Sequence, residues 1–280
     1  MDASGVVLER LELDRLDELI DVQNEIFTDY IIPLRSTREF FIDFQKSVGG
    51  RLSDVLVAIH KGNIVGYANT VIDGAEAWIG GVGVVPAMRG KGIGTRLMMA
   101  SEDVCRRRDV SEIILEVIEG NSKAQQLYER LGYRFARKYL SAEGKPIKFE
   151  GFGEHPEIAT LKEVLELHQR SYGDTCWQRR KQDALIQSAK DGERYKVRGG
   201  FVVVRSVDTT GFVPFLGVVP EKRRAGIGTA LARFALNRLW EQGAFKVGLY
   251  NVNEDEQTLR MLNKFDFKVT LKQIEMRKSL

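Results

Sequence analysis

Two glycine-rich stretches carry the residues best suited to chemistry. In Arg89-Gly90-Lys91-Gly92-Ile93-Gly94-Thr95, two cations alternate with three glycines just ahead of a run of helix formers. Glycine lets the backbone approach a ligand closely, and a helix's first turn leaves N–H groups unpaired at its positive dipole end. Such a turn suits a phosphate or diphosphate. The strand-like run Val82, Gly83, Val84, Val85 leads into it and stops at Pro86, which lacks a backbone donor. The spacing is neither the dinucleotide fingerprint nor a Walker loop, which would close on Gly-Lys-Ser/Thr. Residues 217–231 repeat residues 83–97 with 10 identities in 15 positions at an offset of 134. The second copy follows Val218 and reads Arg223-Arg224-Ala225-Gly226-Ile227-Gly228-Thr229, again a turn suited to a diphosphate.

The elements that must position these turns recur with them. Residues 6–13 alternate as a strand, and Asp14 reads as the N-cap of a helix through LDELIDVQNEIF. A break at Pro33 and a cap at Ser36 or Thr37 precede a second helix, whose Phe40, Phe41 and Phe44 stripe reads as core. Residues 54–60 and 63–72 form a hairpin, AWIGGVGVV leads into the turn, and EIILEVI follows the motif helix. Asn121 caps a helix ending at Gly132, and residues 133–152 read as two strands joined at Glu143-Gly144. From the hairpin onward the second half runs through the same order. The expected architecture is two tandem α/β (α+β) domains, residues 1–153 and 154–280, joined near Glu154-His155-Pro156.

The arginine, two residues, glycine, one residue, glycine pattern of the turn resembles that of the GCN5-related N-acetyltransferases (GNAT). Asn121, Ala124, Leu127, Tyr128, Gly132 and Tyr133 follow at that family's spacing, with the turn 32 residues upstream of the asparagine. The resemblance implies a mixed, mostly antiparallel sheet with a splayed central strand pair and acetyl-CoA as the cofactor, its diphosphate on the turn. It also implies that the backbone at Gly83, Val84 and Val85 pairs with the pantetheine arm, that Asn121 contacts that arm, and that Tyr128 protonates the leaving thiolate. The first two helices would wall the acceptor pocket, with Asp29, Tyr30 and Arg35 as substrate contacts.

Acyl transfer to an amine also needs a base and a donor for the carbonyl oxygen as it gains charge. Glu76, at the start of the strand entering the turn, is the base candidate, and an N–H near Val84 or Val85 the donor. Glu116, set between apolar strand residues, reads equally as base or structural partner. By the repeat offset Tyr128 falls on Leu262, Asn121 on Asp255 and Gly132 on Asp266, while Asn253 lies close enough to act as the asparagine. Leucine donates no proton, so the first domain is expected to be catalytic and the second structural or non-catalytic, with or without bound acetyl-CoA. The expected activity is acetyl transfer to a primary amine, on a small molecule or a peptide. The alternatives are an acyl-CoA-binding sensor or scaffold without turnover and a tandem transferase of the mycothiol synthase kind.

Composition narrows the rest. A net charge of +3 gives no nucleic-acid field, and Cys105 and Cys176 show neither metal-ligand spacing nor a disulfide framework. With no metal, no spanning apolar run and a charged amino terminus, a cytoplasmic monomer or homodimer is expected.

Overall fold

The computed structural model describes residues 5–31, 35–149, 155–173 and 175–280. Pro33 and Glu154, marked above as a break and part of a join, lie outside the described residues. The chain packs as two compact units, Met1–Arg137 with Ile274–Leu280, and Lys138–Gln273.

The first unit runs β1 (Val6–Arg10), α1 (Leu16–Ile26), α2 (Arg38–Val48), β2 (Val55–His60), β3 (Asn63–Asp73), β4 (Glu76–Val84), α3 (Ile93–Arg106), β5 (Glu112–Ile118) and α4 (Ser122–Arg130). Strands β1 to β4 pair antiparallel, and β5 joins β4 in parallel. Lys61 and Gly62, both at positive φ, make the two-residue turn of the β2–β3 hairpin. Asp14 does not cap α1. It sits in a 3-10 turn, Leu13–Arg15, and α1 starts without a side-chain cap. Burial of Leu16, Leu19, Ile20, Val22 and Ile26 at helical spacing fixes α1 instead. Thr37 caps α2, and the aromatic stripe there splits. Phe41 points to the core, whereas Phe40 is exposed and Phe44 half-buried.

The second unit runs from β6 (Arg134–Gly144) through β7 (Glu157–Ile158), α5 (Leu161–Ser171), α6 (Trp177–Arg180), α7 (Gln182–Lys190), β8 (Glu193–Val197), β9 (Gly200–Val207), β10 (Thr210–Val218), α8 (Ile227–Glu241), β11 (Lys246–Asn253), α9 (Glu256–Lys264) and β12 (Lys268–Ser279). Where the sequence suggested a pair of strands over 133–152, β6 is one strand ending at Gly144, beside Phe267.

The units exchange chain at 137/138 and 273/274 rather than dividing at 153/154. The reason is strand pairing. β6 pairs antiparallel with β11 from Val247↔Gly144 to Asn253↔Tyr139, inside the second unit. The end of β12 completes the first, where the Leu280 N–H donates to the Ser111 carbonyl at 2.9 Å and Lys278 Nζ meets Glu102 at 2.6 Å.

In each unit the parallel pair separates early. β4 pairs with β5 only from Glu76↔Glu112 to Ile79↔Leu115, and a bulge opposite Asn69/Thr70 turns β4 away. β10 pairs with β11 only from Thr210↔Lys246 to Phe212↔Gly248, ahead of Pro214, which has no N–H to offer. Among the described residues no helix is long and apolar enough to cross a membrane.

Candidate functional site

The first glycine turn sits at the open end of the β4–β5 splay. Gly90 and Gly92 both take φ +77°, and a Cβ on either would meet nothing within 4 Å. Gly92 opens α3, no side chain caps it, and the helix ladder begins only with the Arg96 N–H to the Gly92 carbonyl. The result is an exposed cradle of backbone donors at a helix's positive end, which fits a diphosphate. The neighbouring side chains are employed differently from the sequence expectation. Arg89 turns away from the cradle, donating to the Val84 and Ile26 carbonyls at 3.0 and 2.9 Å and forking onto Asp29 at 2.6 and 2.9 Å. Its guanidinium holds the Asp29 carboxyl below the usual range. Asp29 is therefore a partner of the turn, and Arg89 clamps the end of α1 to β4. The Lys91 ammonium folds back on Met88 Sδ at 3.2 Å, and Ile93 is buried in the core. Gly94 lies against Leu127 of α4, and Thr95 is half-buried in the first turn.

Strand geometry decides which peptide groups face the splay. The Val85 N–H bonds the Val65 carbonyl at 2.9 Å, so Val85 is spent on β3. Peptides alternate sides along a strand, so Gly83, opposite Tyr67, also faces β3. Val82 and Val84 then turn their N–H groups to the side β5 has left. Of the three residues expected to pair with a ligand arm, only Val84 presents its N–H there, and Val82 joins it. Gly83 is glycine for packing, since a Cβ there would stand 2.4 Å from Ile26 Cγ2. Gly83→Ala is expected to destabilise the protein by about 1–3 kcal/mol, seen as a lower urea midpoint at unchanged slope.

Tyr128 reaches the same splay from α4. Its ring meets Tyr133 edge-on at 6.1 Å, and among the described residues its hydroxyl takes no hydrogen-bond partner. Burial, then the nearby Tyr30, pushes its pKa above the ordinary phenol value. Asn121 caps α4 through the Ala124 N–H and extends its amide toward the Tyr30 hydroxyl at 3.5 Å. Tyr67 completes a group of three phenols, its hydroxyl accepting from Gln23 Nε2 at 3.0 Å. Sequence reasoning missed Tyr67, because a tyrosine inside a buried strand signals only core.

Glu76 is not at the site. It begins β4, and its separation from Val84 along an extended strand is about 26 Å. Glu116 is better placed, one residue past the last β4–β5 pair. Its carboxylate accepts from Trp78 Nε1 at 2.5 Å, and Phe44 packs against that indole at 6.1 Å. Arg35 is exposed.

The second turn repeats the framework. Gly226 takes φ +82° and opens α8 without a side-chain cap. Arg223 donates to the Val218 and Ser171 carbonyls at 3.1 and 2.9 Å, as Arg89 does to Val84 and Ile26. Arg224 and Ala225 are exposed, Ile227 and Gly228 are half-buried, and Thr229 Oγ1 meets Met261 Sδ at 3.6 Å. Leu262 is buried, and Asn253 accepts from Thr175 Oγ1 at 3.0 Å.

Comparison with known proteins gives a consistent result. The model of the acetyltransferase (GNAT) family matches residues 16–133 and again 157–267. N-alpha-acetyltransferase 30 of Schizosaccharomyces pombe is 43% identical over 65 residues, 23% of this chain and 43% of that protein. The putative [ribosomal protein bS18]-alanine N-acetyltransferase of Bacillus subtilis is 25% identical over 122 residues, 44% of this chain and 76% of that protein. The chain thus spans less than half the length of the first of these relatives. A GCN5-related N-acetyltransferase from Sphaerobacter thermophilus shares the fold at a TM-score of 0.74 and 17% identity, covering 100% of this chain and 97% of that one.

Proposed function

The chain belongs to the acetyltransferase (GNAT) family, and from that premise we propose that its first unit transfers an acetyl group from acetyl-CoA to a primary amine. The observation that carries this reading is the β4–β5 splay, with an uncapped glycine turn at its mouth and the Tyr128 phenol beside it. Acetyl-CoA supplies an acyl group already activated as a thioester. The N–H groups around Gly90, Gly92 and the first turn of α3 would hold its diphosphate. The Val82 and Val84 N–H groups would pair with its arm and carbonyl oxygen, in place of the strand neighbour that β4 lacks there. Tyr128 holds its proton at Oη, ready for a departing sulfur, and Asn121 fixes the start of α4 that carries it.

Glu116 is the carboxylate suited to take the amine's proton, since the Trp78 indole fixes one of its oxygens beside the splay. Trp78 and Phe44 give that side an aromatic wall suited to an amine-bearing side chain or chain end. One relative named as an N-alpha-acetyltransferase and another named for an alanine of a ribosomal protein favour the α-amine of a polypeptide as the acceptor.

The test is release of free thiol from acetyl-CoA with a panel of small amines and peptides. Amine-dependent release is expected. Tight acetyl-CoA binding without release for any amine would overturn the enzyme reading and leave a sensor. Within that assay Glu116→Gln is expected to be weak near neutral pH and to regain rate as pH rises, because the free amine then forms without a base. A parallel fall at every pH would instead assign Glu116 to holding Trp78.

A further inference from the structure

The second unit contains a cavity of about 690 Å³ between β10 and β11, lined in part by Leu216, Ala232, Leu236, Leu249, Val252 and Phe267. At the repeat offset the first unit places Val82, Met98, Glu102, Leu115, Ile118 and Tyr133 there. The strand registers keep that offset, since Glu76↔Glu112 becomes Thr210↔Lys246. Met98, Leu115 and Ile118 are buried in the first unit, whereas Ala232, Leu249 and Val252 pack against the second unit's core only partly buried. Alanine lacks everything beyond Cβ that methionine puts into this wedge, and leucine replaces the charged Glu102. At these positions the second wedge therefore has a smaller and wholly apolar lining, where the first carries a methionine and a carboxylate.

A second cavity of about 730 Å³ adjoins this one and shares Gly228, Gln257 and Met261 in its lining. That outer space is bordered by Arg224, Arg260, Lys264 and the amino end of α8 at Gly226. Cations and backbone donors, with Glu256 paired to Arg260 among them, thus stand at one end and apolar side chains at the other. Ser171 lines the inner cavity at 9% exposure, and its buried Oγ has no partner among the described residues. One feature removes turnover and another changes how an arm would be held. Leu262 stands where Tyr128 stands in the first unit. The Tyr172 hydroxyl accepts from the Leu216 N–H at 3.2 Å and donates to the Leu216 carbonyl at 2.9 Å. It thereby occupies the counterpart of the Val82 peptide.

We infer that the second unit binds, without turning it over, a coenzyme A thioester whose acyl chain is apolar and longer than acetyl. The inference rests on the reading that a turn of this kind holds a coenzyme A diphosphate. Titration calorimetry of the full chain with coenzyme A, acetyl-CoA, octanoyl-CoA and free octanoate tests it. Two sites are expected for octanoyl-CoA, one of them at least about tenfold tighter than for acetyl-CoA, because each buried methylene adds to affinity. Ala232→Met should remove that gain by filling the wedge. Arg260→Ala, at an exposed position, should weaken both thioesters at this site about equally. A single site, or affinity indifferent to chain length, overturns the inference. Octanoate binding as tightly as its thioester also overturns it, in favour of a free fatty acid. Loss of amine-dependent thiol release alone fails only the first unit's reading, whereas absence of all coenzyme A binding fails both.

Discussion

Tyr128→Phe is expected to lower kcat for amine acetylation by about 10²–10⁴-fold, the usual worth of a positioned proton donor, with acetyl-CoA affinity nearly unchanged. The substitution keeps the ring against Tyr133 and removes only a hydroxyl that has no hydrogen-bond partner among the described residues. Folding should hardly notice it. The pH profile sharpens the expectation. Burial first, and Tyr30 second, raise this phenol's pKa above its ordinary value of 10. A raised pKa keeps the acid form present through higher pH, so the wild type should show no alkaline fall in kcat from this group below about pH 10. The same sign governs stability. The folded state favours the neutral phenol, so this contribution is full below the unfolded value and is lost as pH rises through the folded one. Steady-state kinetics between neutral pH and pH 10, on both proteins, checks the pair of claims. A fall in kcat of less than about threefold would mean that solvent, not Tyr128, protonates the departing sulfur.

What the sequence conveyed well was local. Gly90, Gly92 and Gly226 advertise positive φ, and the structure has them at +77°, +77° and +82°. Asn121 and Gly132 mark the two ends of α4 because capping involves residues within one turn. What it hid was set by distant chain. Arg89 reads as a phosphate ligand until Asp29, 60 residues away, is brought against it. Glu76 and Glu116 look equivalent in sequence. They differ only because β4 leaves β5 after Ile79, which puts Glu116 beside the opening and Glu76 at the closed end. Alternation shows that Gly83, Val84 and Val85 are a strand, yet not which peptides face β3. That depends on the register with Tyr67 and Val65. The exchanged strand is the clearest case. β6 and β12 follow α4 and α9 alike, and nothing in either strand's own pattern names the sheet it completes.

A chain ending at Gln273 is expected to lose the fold of its first unit, and with it acetylation. The first unit's packing includes Ile274–Leu280, so the truncation removes its closing strand although the deleted residues follow the second motif. Met276 is buried beside Met98, Cys105 and Ile113, a side chain worth about 1.5–3 kcal/mol. Lys278 is the partner of the buried Glu102, which among the described residues would keep only the exposed Arg106 as an ion-pair partner. Removing one partner of a buried pair costs about 3–5 kcal/mol. Arg277 leaves Glu112, and the Ser111 carbonyl loses the Leu280 N–H. Together these approach the about 5–15 kcal/mol that holds a whole domain folded. Thermal unfolding of the truncated chain should therefore lack the first unit's transition. The single variant Lys278→Ala should only lower it, by removing one contact. By the same argument a polypeptide of residues 1–153 should not fold on its own, because the strand its sheet requires is encoded at the other end of the chain. Full acetylation by either shortened chain would show that β5 can stand as an edge, and that the exchange of strands is not what holds the first unit together.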